Sequence, residues 1–203
     1  MKLLHVDGSI LGDHSVSRAV SAAIVAHLKA GAADLAVTYR DVAATPIPHL
    51  SGAYLAGQQP NATNTSDIQN DVELGRTVLS EFMAADIVVI GAPLYNFTIS
   101  SQLKAWIDRI LVAGQTFKYT ESGSVGLVPE KRVIVAVARG GLYGEGAPSA
   151  KAEHAETYLR VVLDFIGVTN PEFVIAEGIA LGPEAREKAL AGALEAAANI
   201  PLA

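Results

Sequence analysis

Apolar residues along this chain form short continuous runs, separated by longer segments in which they recur every three to four positions. Segments that are wholly or mostly apolar, at residues 3–6, 87–90, 133–137 and 172–176, predict four buried strands, and alternation at 35–39 predicts a fifth. Strands that are apolar on both faces are typical of parallel sheets covered by helices on each side.

Helical periodicity occupies most of the sequence between these strands. Val16, Val20, Ile24 and Leu28 mark one apolar face of a helix predicted over residues 15–29. Comparable patterns predict helices over residues 67–83, 98–112, 148–166 and 183–198. Residues 44–66, which contain several Pro, Gly and Asn, are predicted to be irregular, and residues 114–128 to form an ordered excursion.

Five strands that alternate with five helices predict an α/β fold with right-handed crossovers. The economical arrangement is a flavodoxin-like, doubly wound, five-stranded parallel sheet with helices on both faces, in a single domain spanning residues 1–203.

Composition narrows the class of protein. The formal net charge is −6 and no run of Lys or Arg occurs, so neither nucleic acid nor a membrane surface is expected as a partner. Cysteine is absent, which excludes disulfides and thiolate catalysis, and no His spacing indicates a metal site. With neither a signal-peptide pattern nor an apolar run of about 20 residues, we expect a soluble, cytoplasmic protein.

Three predicted loops share the carboxyl edge of the sheet, where open α/β folds bind ligands. The first brings Ser9, Ser15 and Ser17 to the start of a helix, where free N–H groups and hydroxyls favour a phosphate, with Arg18 as the only nearby positive charge. The triphosphate and dinucleotide glycine motifs are missing. A simple capping role for Ser15 or Ser17 stays open.

The second and third loops offer contacts for a flat ligand. Pro93, Tyr95, Asn96 and Phe97 combine a stiff backbone, aromatic faces and an amide, although the aromatic residues could equally belong to the core. Adjacent glycines in the segment 138–141 allow close approach to the backbone, although a plain turn would also explain them. A phosphate at one end and a heteroaromatic ring at the other describe FMN.

The chain resembles the FMN-dependent NAD(P)H azoreductase and quinone reductase family of flavodoxin-like enzymes. The motifs that carry the resemblance are Ser-Val-Ser at 15–17, Ala-Pro-Leu-Tyr-Asn-Phe at 92–97 and Ala-Arg-Gly-Gly at 138–141, with supporting matches at 116–121 and 165–167. Two positions depart from the usual family pattern, since Leu94 often corresponds to Met and Ala138 to Ser or Thr.

The resemblance implies a set of cofactor-binding residues. The phosphate would be held by Ser9, Ser15, Val16 and Ser17. The flavin ring would be held by Pro93, Leu94, Tyr95, Asn96, Phe97, Ala138, Arg139, Gly140 and Gly141. Tyr119 and Tyr143 are expected to line the substrate pocket.

By the same resemblance, NADH or NADPH would reduce the bound flavin, which would then reduce a quinone or an azo compound in a ping-pong cycle. No side chain is assigned a catalytic role, because flavin N5 carries the chemistry. The resemblance further implies a homodimer with two sites at its interface.

Two other functions stay open from the sequence. A flavodoxin-like electron carrier would bind FMN without being an enzyme, although carriers tend to be shorter and more acidic. A serine esterase could use Ser9 as its nucleophile, but the chain lacks a Gly-x-Ser-x-Gly elbow and a late Asp-x-x-His, since Lys151 stands three positions before His154.

Overall fold

The structure, a computed structural model, describes residues 1–202. Its seven strands are β1 (Lys2–Asp7), β2 (Ala36–Asp41), β3 (Ile87–Pro93), β4 (Phe117–Thr120), β5 (Gly123–Gly126), β6 (Arg132–Arg139) and β7 (Glu172–Glu177). Its six α-helices are α1 (Val16–Gly31), α2 (Gly52–Gly57), α3 (Ser66–Ala84), α4 (Ser101–Ile110), α5 (Ala155–Ile166) and α6 (Pro183–Ala198).

Five of the strands form one parallel sheet in the order β2-β1-β3-β6-β7. This order reverses direction between β1 and β3, which is the flavodoxin-like switch point. The predicted fold class is therefore confirmed. The remaining two strands pair antiparallel as a hairpin, which accounts for the excursion expected at 114–128.

Alternating side chains of the central strands fill two separate cores. Ile87 and Val89 pack with α1 and α6 on one face, whereas Val88, Ile90 and Ala92 pack with α3, α4 and α5 on the other. Every residue of β3 is buried, so this strand has helices on both sides. Its carboxyl end is consequently supported by packing on both faces of the sheet.

Three predicted boundaries differ from the structure. The irregular segment 44–66 contains the short helix α2, which Ser51 caps by accepting from the Tyr54 N–H at 3.0 Å. The helix expected from residue 98 begins at Ser101, because Thr98 closes a turn and Ser100 caps the Leu103 N–H. The helix expected from 148 begins only at Ala155, after a 3-10 turn at Ala150–Ala152.

Glu153 explains the late start of α5. Its carboxylate accepts from the backbone N–H groups of Ala155, Glu156 and Thr157, at 2.8 to 3.2 Å, and so satisfies the first helical turn. Burial opposes ionisation, but these bonds and the charge of Arg139 hold the pKa of Glu153 below its usual value. None of the helices within residues 1–202 is long and apolar enough to cross a membrane.

The hairpin packs closely against the C-terminal end of α5. A Cβ added at Gly126 would overlap the backbone of Ile166 and Gly167, whereas a Cβ added at Gly192 in α6 would meet no heavy atom within 4 Å. We expect Gly126→Ala to lower the free energy of unfolding by about 1–3 kcal/mol through overpacking. Gly192→Ala, the matched control, should raise it by about 0.5–1 kcal/mol.

Urea titration followed by far-UV circular dichroism measures both changes. If the two variants had equal unfolding midpoints, the hairpin would not be fixed by backbone contact at Gly126.

Candidate functional site

The first loop places hydroxyls and free amides at the start of α1. Ser15 is the N-cap, and its Oγ accepts from the Arg18 N–H at 3.3 Å and lies 3.1 Å from the Ser17 Oγ. Within residues 1–202 the N–H groups of Val16 and Ser17 have no protein acceptor, as expected for the first turn of a helix. Ser9, Ser15 and Ser17 are all buried. These groups form a neutral donor set suited to an oxyanion.

Arg18, the positive charge expected beside this loop, directs its guanidinium at protein groups. Its guanidinium makes a two-point ion pair with Asp41, at 2.6 and 2.7 Å, and donates twice to the Ser9 carbonyl, at 3.1 and 2.7 Å. The hydrogen bonds from Arg18 lower the pKa of Asp41 to about 2, although burial opposes the shift. Arg18 thus fixes the backbone of the loop and its charge is balanced by a carboxylate.

A buried polar network extends this support beneath the loop. Ser21 donates to Asp7 at 2.8 Å and lies 2.9 Å from the His5 Nε2, and Tyr39 donates to Asp7 at 3.0 Å. Burial, followed by the negative charge of Asp7, raises the pKa of Tyr39 to about 12. His5, Asp7, Arg18 and Tyr39 line a cavity of about 500 Å³ beside the loop, and every one of them is engaged by a protein partner.

The second loop contains a backbone feature that the sequence did not reveal. Tyr95 and Thr98 exchange backbone hydrogen bonds at 2.8 and 3.1 Å, and the two residues between them have positive φ, 47° at Asn96 and 76° at Phe97. This is the pattern of a type I′ turn, whose second central position strongly favours glycine. A phenylalanine there costs of order 1–2 kcal/mol, and strain of this kind concentrates at functional sites.

The same turn leaves backbone donors available. Among residues 1–202 the N–H groups of Asn96 and Phe97 have no protein acceptor, and the Phe97 ring is 54% exposed. Tyr95 directs its hydroxyl to the first loop, where it lies 2.9 Å from the Ser9 Oγ. The two loops are therefore tied together at their tips.

The third loop is connected to its neighbours through backbone atoms. Leu94 N–H donates to the Ala138 carbonyl at 2.8 Å, and the N–H groups of Ile179 and Ala180 donate to the carbonyls of Arg139 and Gly140. The Arg139 side chain is buried against Glu156, Glu153 and Glu177. Its guanidinium therefore has a structural role, and Arg139 does not line the site.

These loops converge on a cleft of about 260 Å³, here called the rim cleft. Eight predicted cofactor-binding residues line it. The other five do not, although each lies within two positions of one that does: Ser17, Asn96, Phe97, Arg139 and Gly141. The lining consists of Ser9, Leu11, His14, Ser15, Val16, Pro93, Leu94, Tyr95, Ala138, Gly140, Ile179, Ala180 and Arg186. The predicted substrate-pocket residues Tyr119 and Tyr143 do not line it; Tyr119 is 74% exposed on the hairpin.

Sequence reasoning missed the contribution of the segment that runs from the end of β7 into the first turn of α6. Ile179, Ala180 and Arg186 all line the rim cleft, and the Arg186 guanidinium donates to the His14 carbonyl at 2.7 Å. The signal was available in the topology, because the carboxyl end of β7 shares the sheet edge with those of β1, β3 and β6.

The geometry also bears on the esterase alternative. A serine nucleophile needs a histidine base within hydrogen-bonding distance, and the only side-chain partner of the Ser9 Oγ in the described chain is the Tyr95 hydroxyl. The donors around the rim cleft instead suit a bound anion and a flat ring.

Comparison with known proteins agrees with this geometry. A family model described as "Flavodoxin-like fold" matches residues 1–200. An FMN-dependent NADH:quinone oxidoreductase of Methylorubrum extorquens (strain PA1) is 74% identical over 203 residues, covering 100% of both chains. A protein of the same name from Xanthomonas campestris pv. campestris is 63% identical over 195 residues, covering 95% of this chain and 96% of its own.

Solved structures give the same result. An azoreductase from Bacillus anthracis str. Sterne superposes with a TM-score of 0.89 at 33% identity, covering 98% of each chain. An FMN-dependent NADH-azoreductase from Bacillus anthracis str. Ames Ancestor, in complex with FMN, gives 0.87 at 29% identity and the same coverage. The chain therefore belongs to the family of proteins with the flavodoxin-like fold.

Proposed function

We propose that the rim cleft binds FMN and that the protein is an FMN-dependent NADH:quinone oxidoreductase. The observation that carries this proposal is the convergence of the Ser9–Ser17 loop, the 93–97 loop and the 138–141 loop on one cleft, in a chain 74% identical to a protein of that name. Azo compounds are the second expected class of acceptor, since the azoreductase structures share the fold over nearly the whole chain.

The residues present fit both ends of the cofactor. Ser9, Ser15, Ser17 and the free N–H groups of Val16 and Ser17 would hold the phosphate. Around the ring we place Pro93, Leu94, Tyr95, Asn96 and Phe97, together with the main chain of 138–141. Gly140 and Gly141 would leave room for close approach, because neither carries a Cβ.

Protein groups would bind and tune the cofactor rather than exchange protons. When bound, FMN supplies the redox chemistry, accepting hydride from NADH and reducing the acceptor. The N–H groups of Asn96 and Phe97 have no protein acceptor and precede the helix α4, so they would stabilise negative charge that develops on a ligand there. The exposed Phe97 ring offers a flat surface for a nicotinamide or a quinone. No side chain is required as an acid or a base.

The finer features of the assembly follow from the same proposal. We expect one FMN-binding domain over the whole chain, acting in the cytoplasm as a homodimer. The chain offers an apolar recess for a partner copy, a cavity of about 300 Å³ lined by Thr98, Ile99, Ser101, Lys104 and Tyr158. Tyr119 and Tyr143 would line a substrate pocket completed by the partner.

The visible spectrum of the purified protein tests the function directly. We expect a yellow protein that NADH alone bleaches anaerobically, and whose colour a quinone then restores. A yellow protein that NADH does not bleach would indicate an electron carrier, and a protein that takes up no FMN would contradict the proposal.

Two substitutions at Phe97 separate the strain of the turn from the use of the ring. Because alanine also resists φ of 76°, Phe97→Gly should be more stable than Phe97→Ala by about 1 kcal/mol in urea unfolding. Both variants lack the ring and should lose kcat/KM for quinone to a similar extent. Equal stability would mean that the turn stores no strain, and full activity would mean that the ring is not used.

Light scattering coupled to size exclusion tests the homodimer. We expect about twice the 21.1 kDa chain mass. Lys104 lies at the edge of the apolar recess, so Lys104→Glu should weaken association of the two copies. Lys29 is exposed on α1, and Lys29→Glu should leave association unchanged. A monomeric mass for the wild-type protein at micromolar concentration would remove the interface.

A further inference from the structure

Positive charge close to the site strengthens the binding of a phosphate monoester, even where neutral donors already hold it. Such a group carries about −1.5 to −2 charge at pH 7, and this chain has a formal net charge of −6. Hydroxyls and amides at the start of α1 offer hydrogen bonds and only a partial positive charge from the helix dipole. A free cation near these donors would therefore add to the strength with which the phosphate is held.

Arg18 cannot fill this role in the observed arrangement. Its guanidinium forms the two-point pair with Asp41 and also lies 3.9 Å from Asp7. Two carboxylates therefore offset its charge, and its remaining contacts are directed at the Ser9 carbonyl and the Tyr39 hydroxyl.

Arg186 supplies such a charge from the first turn of α6. It is the only Arg or Lys among the residues that line the rim cleft, and none of those residues is Asp or Glu. Within residues 1–202 no carboxylate lies within salt-bridge distance of its guanidinium. A single bond from Nη2 to the His14 carbonyl, at 2.7 Å, anchors the side chain one residue before the N-cap Ser15. Its other N–H groups remain free to donate.

We propose that Arg186 is the charged contact for the phosphate of FMN and makes the cleft selective for FMN over riboflavin. This inference rests on the proposed function, because it assigns a residue to one end of that cofactor. The hydrogen bond to the His14 carbonyl holds the Arg186 guanidinium in place, and its remaining N–H groups can donate to the phosphate. Such a charge-assisted hydrogen bond is stronger than a neutral one.

The test compares the affinities of the apoprotein for FMN and riboflavin, measured by quenching of flavin fluorescence at low and high salt. For Arg186→Gln we expect the Kd of FMN to rise about tenfold and that of riboflavin to change less than twofold. The salt dependence of FMN binding should also become shallower. Arg186→Lys keeps the charge and should recover part of the loss. Lys188→Gln, an exposed neighbour on the same helix, is the matched control and should bind both flavins as the wild type does.

Three results would overturn the assignment. Equal weakening of FMN and riboflavin would show that Arg186 only holds the His14 backbone in place. Loss of FMN affinity with an unchanged salt dependence would have the same meaning, and unchanged affinity for both would exclude contact. Failure of the wild-type protein to bind either flavin would instead refute the proposed function, so the two failures are distinguishable.

Discussion

Burial of β3 on both faces is the constraint on which the site depends. Because helices cover this strand on each side, its carboxyl end cannot shift without disturbing two cores at once. Backbone hydrogen bonds fix the neighbouring loops to that end of β3. The Gly8 N–H donates to the Gly91 carbonyl at 2.9 Å, and the Leu94 N–H donates to the Ala138 carbonyl at 2.8 Å. The rim cleft is thus assembled from loops held by a strand that is buried along its whole length, and such a scaffold places its loops precisely.

The fold was predictable from sequence because its signals are local and repeated. Runs such as 87–90 and 133–137 are apolar throughout, and the alternation of strands with helices leaves few arrangements. The helix boundaries that were predicted wrongly depend on features that the pattern of apolar residues does not contain. Glu153 delays α5 by capping it from outside, and α2 is too short for its periodicity to stand out among Gly and Pro.

At the site, the sequence predicted where the charged residues lie better than it predicted what their side chains do. Arg18 and Arg139 lie at the expected loops, yet their guanidinium groups are used to hold the protein together, by Asp41 in one case and by three glutamates in the other. Arg186, distant in sequence, lines the rim cleft. A single sequence shows which charges exist but not which of them are already paired, since pairing depends on tertiary distances. The same limit hid the positive φ of Phe97, because nothing in the sequence distinguishes a strained turn from a relaxed one.

The tie between Arg18 and Asp41 has a consequence for heat resistance. Asp41 ends β2, an edge strand that is largely exposed and hydrogen-bonded to only one neighbour. Edge elements of this kind open locally at free energies below that of global unfolding. If β2 detaches, Arg18 loses the partner that holds it on the Ser9 carbonyl, and the Ser9–Ser17 loop is released while both cores remain intact. On warming, the cofactor would therefore dissociate before the helices unfold. The temperature at which activity is lost would be determined by the local stability of β2 rather than by global unfolding.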